Sequence, residues 1–303
     1  MMKCLFRILC LLCLMPLLCP ALSAACAETV YPPFEPVELT MGADYALPKK
    51  NYLPNPEAFT ENGYRDESIN VVIHRVRAYD TDMYIAYIQV ASPLQLRVEQ
   101  AKRYPSKALV RGYLLAGRVN SIIATNADWF VYRSAGVIYR EGELLRDKPM
   151  EEYDGLFIDT DGDLHIVSPL TPENVAAIEK PIWQSFCFGP ALVIDGEKCD
   201  RFDIIWPRGV ESDRPRQRTA FGQIGPLQYV MLVTEGAEIA GNRGLTVEET
   251  ATVMHDLGCL QAYNMDGGMS STMLLKEDKL DGGDEVRMRS IGDILYFSTA
   301  VGE

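Results

Sequence analysis

The chain has 303 residues, 48% of them hydrophobic, with 42 acidic against 29 basic residues and a formal net charge of -13 at pH 7. Such a length can bury one large core or two modest ones. The acidity argues against nucleic acid or anionic lipid as a partner and fits solubility outside the cell.

Residues 1–27 read as a secretory signal peptide. Lys3 and Arg7 form a basic n-region, residues 8–18 an apolar stretch broken by Pro16, and Ala25-Cys26-Ala27 a small-residue cleavage site. That stretch is too short to span a bilayer comfortably and no second one follows, so no integral membrane span is expected. Lipid anchoring at Cys26 is the rival, but Ser23 stands where a bulky aliphatic residue is expected, and ordinary export is the reading adopted. The leader takes five of the eight cysteines; Cys187, Cys199 and Cys259 remain, without CxxC or His-rich spacing. A disulfide framework or zinc site is not expected, and Cys187 and Cys199 either pair or stay as buried thiols.

Residues 28–66 hold Pro32, Pro33, Pro36, Pro48, Pro54 and Pro56 without sustained periodicity, and read as an extended Pro-rich lead-in. From residue 67 to 303 the chain reads as one domain. Residues 69–76 and 83–90 are β-rich and joined at Asp80-Thr81-Asp82, a hairpin signal. Mixed helical character follows over 94–119. Residues 121–125 then form a buried-looking strand ending in Asn126-Ala127-Asp128-Trp129-Phe130, either a site edge or an Asx-turn with its aromatics in the core.

Asp159-Thr160-Asp161-Gly162-Asp163 resembles the start of an EF-hand loop, but lacks the closing glutamate and reads as a hairpin turn. Thr171 and Pro172 open a short helix, and residues 186–196 are strand, turn, strand around Gly189-Pro190. Arg214 to Arg218 form a basic cluster, and the apolar strand 227–234 ends at Glu235. The clearest helix is 247–257: Thr246 and Glu249 make a capping box, Val247, Thr250, Ala251, Met254 and Leu257 share a face, and Gly258 stops it. Strand 260–263 then delivers Asn264-Met265-Asp266-Gly267-Gly268-Met269-Ser270-Ser271-Thr272, and strand 289–297 closes the chain. The expected fold class is α+β (mixed α/β): a single domain with a mixed, largely antiparallel sheet and few flanking helices.

Five segments, in order, resemble the phosphodiester glycosidase family, that of the "uncovering enzyme" N-acetylglucosamine-1-phosphodiester α-N-acetylglucosaminidase and of bacterial secreted proteins described as exopolysaccharide-related. They are Asn126 to Phe130, Phe188-Gly189-Pro190-Ala191-Leu192-Val193, Arg218-Thr219-Ala220, Gly244-Leu245-Thr246 and the Asn264 to Thr272 signature. Ala127 and Met269 depart from glycines common in the family.

The resemblance implies a hydrolase that cleaves the sugar–phosphate bond of a sugar-1-phosphodiester. Such chemistry uses carboxylates at an oxocarbenium-like centre and cationic or N–H donors at the departing phosphate. The catalytic candidates are Asp266, Asp128 and Glu235. The substrate-binding candidates are Asn126, Arg218, Arg243, Gly189, Asn264, Gly267, Gly268, Ser270, Ser271 and Thr272, with Arg218 the leading phosphate contact. No metal ligands and no cofactor are assigned, and an oxygen-only divalent-cation site stays open. The competing class is a non-catalytic cell-envelope module that binds polysaccharide or phosphodiester. It would keep Arg218 and the serines without needing two carboxylates at one sugar.

Overall fold

Alternating side chains on the strand Gln228–Thr234 face opposite ways, and both faces are apolar: Tyr229, Met231 and Val233 on one, Val230 and Leu232 on the other. A strand of that kind has to lie in the middle of a layered structure. The computed structural model describes residues 31–41, 51–202, 212–282 and 288–302. The chain divides into two units, Met1–Val30 and Tyr31–Glu303. The leader expected at 1–27 lies outside the described residues, and the second unit carries the fold.

Two antiparallel sheets dominate that unit. The larger has nine strands in the order Phe59–Thr60, Gly63–Arg65, Ile69–Ala78, Thr81–Val90, Gln228–Thr234, Thr219–Gly225, Gln261–Asn264, Ala191–Ile194 and Glu197–Lys198. The smaller has five, ordered Asp278–Lys279, Met273–Leu275, Ile123–Asn126, Asp293–Phe297 and Leu96–Gln100. Their facing surfaces share one core, in which Ile69, Val71, Ile88, Met231 and Phe221 meet Leu96, Ile123, Met273, Leu295 and Phe297. Burying each such aliphatic side chain contributes roughly 1.5–3 kcal/mol.

Helices cover the outer faces. The helix Val247–Asp256 lays Val247, Ala251, Val253 and Met254 on Ile85, Val230, Leu232 and Ala262 of the larger sheet. Its capping box forms as the sequence predicts, with the Glu249 N–H donating to Thr246 Oγ1 at 3.0 Å and the Thr246 N–H to Glu249 Oε2 at 2.9 Å. The shorter helix Gly112–Arg118 packs Leu115 and Ala116 against Ala124, Leu274, Ile294 and Tyr296 of the smaller sheet. The result is sheet-dominated with few helices, and the strand pairs within both sheets are antiparallel.

Several local expectations are sharpened. The first hairpin turns at Tyr79-Asp80, both with φ +51, so Thr81 and Asp82 belong to the returning strand; this two-residue geometry follows the right-handed strand twist. The acidic loop is a hairpin turn in which Asp159 Oδ1 accepts from the N–H groups of Asp161 and Asp163 at 2.8 and 3.1 Å. In the Pro-rich stretch, residues 31–41 have neither helix nor strand, but Phe59–Thr60 and Gly63–Arg65 extend the larger sheet and bury Tyr64. Cys187, Cys199 and Cys259 are free thiols. No helix among the described residues is long and apolar enough to cross a membrane.

Candidate active site

The segment after Asn264 passes from the larger sheet to the smaller, since Gln261–Asn264 lies in one and Met273–Leu275 in the other. Backbone bonds pin it on both sides. The Met265 N–H donates to the Thr219 carbonyl at 2.8 Å, the Asp266 N–H to the Ala127 carbonyl at 3.1 Å, and the Gly268 N–H to the Gln217 carbonyl at 2.9 Å. Two glycines permit this course. A Cβ on Gly267 would stand 2.9 Å from the Gln217 carbonyl oxygen, and Gly268 has φ +60.

Asn126, at the end of its strand and 1% exposed, ties the crossing together. Its Nδ2 donates to the Asp266 carbonyl, while its Oδ1 accepts from Thr219 Oγ1 at 2.9 Å and the Thr272 N–H at 3.1 Å. Two steps on, Asp128 accepts from the N–H groups of Trp129 at 2.6 Å and Cys187 at 2.9 Å. Its own N–H donates to Asp293 Oδ1 at 3.1 Å, and Asp293 Oδ2 accepts from Arg140 at 2.8 Å in a fully buried ion pair. Burial, reinforced by the Asp128 charge, pushes the Asp293 carboxyl up to about 7 although Arg140 opposes the shift.

Asp266 and Asp128 meet at one narrow cleft, whose walls also include Trp129, Tyr132, Ser270 and Arg289. Desolvation raises the Asp266 carboxyl to about 6. The Ser270 hydroxyl, the Arg289 charge and the Gly267 N–H pull it down, and the Asp128 charge pushes it up. Trp129 and Tyr132 lie with ring centroids 4.7 Å apart, and Tyr132 is 49% exposed. Met269, the departure noted in the signature, is 60% exposed on the same turn as Ser270. The free volume of the cleft is about 10 Å³, room for one water-sized group. Anything larger than that has to sit at the mouth, with only a small group reaching the two carboxylates.

The other expected site residues are placed differently. Arg218 is 3% exposed, and its guanidinium donates to the carbonyls of Leu245 at 2.9 Å and Arg214 at 2.8 Å; burial lowers its pKa to about 10. That placement does not match an anion contact. Its backbone is what borders the loop, since a Cβ on Gly267 would stand 3.9 Å from Arg218 Cα and the preceding Gln217 carbonyl accepts from the Gly268 N–H at 2.9 Å. Arg243 pairs with Glu249 at 2.7 Å and steadies the start of the long helix. Glu235, 2% exposed, accepts from the Gly282 N–H, and the nearby carboxylates of Asp281 and Asp82 help burial to raise its pKa. The walls of the Asp266 cleft do not include it.

Asn264 donates to the Gly189 carbonyl at 2.8 Å, which makes these two a joint between strands. Thr272 Oγ1 reaches Asp281 at 3.4 Å. Ser271 is buried, and its hydroxyl has no hydrogen-bond partner. Sequence reasoning missed Arg289, Tyr132 and the Arg140–Asp293 pair. A lone arginine and a lone tyrosine carry no motif, and Arg140 and Asp293 lie 153 positions apart. Among the described residues no group of three or more His, Cys, Asp or Glu is arranged to hold a metal ion.

A sequence model described as phosphodiester glycosidase matches residues 117–298. The SPbeta prophage-derived uncharacterized protein YomE of Bacillus subtilis strain 168 is 26% identical over 192 residues, 61% of this chain. The match spans only 29% of that relative's length. Among solved structures, the fold is similar to the catalytic domain of zebrafish N-acetylglucosamine-1-phosphodiester α-N-acetylglucosaminidase, auto-inhibited by its pro-peptide, with a TM-score of 0.59 at 17% identity. That similarity covers 76% of this chain and 83% of that one. A hypothetical protein from Synechocystis gives a TM-score of 0.55 at 12% identity, covering 77% and 62%. At these identities the structural likeness speaks to fold.

Proposed function

This chain belongs to the phosphodiester glycosidase family, and from that premise we propose that it is a secreted hydrolase of the sugar–phosphate bond in a sugar-1-phosphodiester of envelope or exopolysaccharide glycans. The observation that carries this reading is the pairing of Asp266 and Asp128 at one cleft, where Asp266 is pushed up to about 6 and Asp128 is held by two backbone N–H groups. Two carboxylates with different environments can take different roles.

In the proposed reaction, water adds to the anomeric carbon as the bond from that carbon to the phosphate oxygen breaks. The electron pair of that bond leaves with the phosphate monoester. The departing group is already an anion stabilised by its other oxygens, so little general-acid help is needed. Ionised Asp266 faces the oxocarbenium-like centre and takes the proton of the attacking water. The negative charge of Asp128 at the same cleft raises its proton affinity. The neighbouring rings of Trp129 and Tyr132, tilted by 32° to each other, offer an apolar wall against which a sugar ring can lie.

The test is release of free sugar from a panel of sugar-1-phosphodiesters by the purified chain. Turnover of at least one member supports the reading. Binding of the panel without any turnover would replace it with the envelope-binding module.

A further inference from the structure

An anionic substrate needs a cation at the mouth of the cleft, and most of the nearby arginines are engaged. Arg133 donates to the carbonyls of Cys187 and Phe188, and Arg146 to those of Gly136 and Arg133. Arg140 is paired with Asp293, Arg243 with Glu249, and Arg218 is buried on backbone carbonyls. A guanidinium spent on carbonyls inside the protein cannot reach a phosphoryl group without breaking those bonds.

Arg289 differs in placement. It is exposed and forms part of the cleft wall with Asp128, Asp266 and Ser270. It is close enough to Asp266 for its charge to act on that carboxyl. Its backbone is anchored on both sides: Met288 and Ile291 are buried, and Ser290 and Ile291 pair with Arg111 and Val110. The charged head is therefore presented from a fixed stub in a cleft that Ser270 of the Gly-Gly loop also lines.

We propose that Arg289 is the phosphate-reading residue of this cleft, holding the phosphoryl oxygens of the substrate in a forked contact while the sugar lies toward Trp129 and Tyr132. The proposal rests on the sugar-1-phosphodiester reading and assigns its leaving-group side. Guanidinium matches phosphate geometry through paired N–H donors. The same charge stabilises ionised Asp266, so one side chain links anion binding to the state of the reacting acid.

The test uses inorganic phosphate as probe, with binding followed by titration calorimetry on the wild type, Arg289→Met, Arg289→Lys and Arg118→Gln. Arg118 is a half-exposed arginine paired with Glu99 and serves as the charge control. The wild type should bind phosphate, Arg289→Met should weaken it by about ten- to a hundredfold, Arg289→Lys by less, and Arg118→Gln not at all, with melting temperatures close to wild type. Loss of the charge should also move the acidic limb of the kcat/KM profile to higher pH, which a purely structural role would leave in place.

Absence of phosphate binding in the wild type, or binding unchanged in Arg289→Met, overturns the proposal whatever the catalytic result. Phosphate held through Arg289 in a protein that releases no sugar from any phosphodiester would leave the anion site standing and overturn the proposed reaction instead.

Discussion

The Asp266 N–H donates to the Ala127 carbonyl at 3.1 Å. This bond joins the loop that carries one acid to the segment that carries the other, because Asp128 is the next residue after Ala127. The two acids come from strands of different sheets, Gln261–Asn264 and Ile123–Asn126, and the bond fixes their relation where the two sheets meet.

Asn126 is the side chain that holds this junction, so its loss should be costly. Asn126→Ala removes the bonds to Asp266, Thr219 and Thr272 and leaves their buried partners unsatisfied. The expected loss is about 2–4 kcal/mol, read as a fall in the urea midpoint at unchanged slope. Asn126→Asp keeps the acceptor and loses the donor, and adds a negative charge near Asp266, so it should not rescue the wild-type midpoint.

Activity should follow the charge on Asp266. With its carboxyl at about 6 and the ionised form as the working form, kcat/KM should be level above that pH and fall by about tenfold per unit below it. The measurement is a pH profile on any substrate that turns over. A profile flat through pH 5 would separate Asp266 from the rate.

Stability should move the opposite way. The Asp266 carboxyl is raised in the folded protein, so the native state holds more protons than the unfolded chain over the window from the ordinary Asp value of about 4 up to about 6. Stability contributed by this group is greatest below that window and is lost as the pH rises through it. Asp266→Asn should therefore raise the stability by about 1–2 kcal/mol at pH 7.5, and the gain should shrink toward pH 4. Thermal melts at the two pH values give the sign directly.

The Arg140–Asp293 pair should behave as a buried support. Arg140→Met leaves Asp293 without its cation while the carboxylate still accepts the Asp128 N–H. Breaking a buried pair on one side costs about 3–5 kcal/mol. With its carboxyl already at about 7, Asp293 can take up a proton in the variant, so the deficit should be larger at pH 8 than at pH 6. Chemical denaturation at both pH values checks it.

Much of the frame was legible because it is local. The capping box of Thr246 and Glu249 and the apolar face of the following helix are set by residues three and four apart, and the hairpin of 69–90 by β-branched residues in alternation. The site was legible only in part. Asp266 and Asp128 were reached through the family resemblance, whose motifs mark loops but do not say which side chains turn inward. Arg218 was read as an anion contact because a sequence cannot distinguish an arginine facing solvent from one folded onto the Leu245 and Arg214 carbonyls. Arg289 escaped notice because its meaning comes from lining one cleft with Asp128, Asp266 and Ser270, a tertiary fact without a spacing rule. Phe59–Thr60 and Gly63–Arg65 escaped as well, since strands of two and three residues show no period and exist through pairing with Ile69–Ala78.

The central claim is that Asp266 does chemistry rather than only shaping its loop. The direct measurement is kcat/KM for sugar release from a sugar-1-phosphodiester by wild type and by Asp266→Asn, with both proteins shown to be folded by their melts. The account predicts a loss of at least about a hundredfold in the variant, together with its higher melting temperature at pH 7.5. Turnover within a few-fold of wild type in a folded Asp266→Asn protein would contradict it.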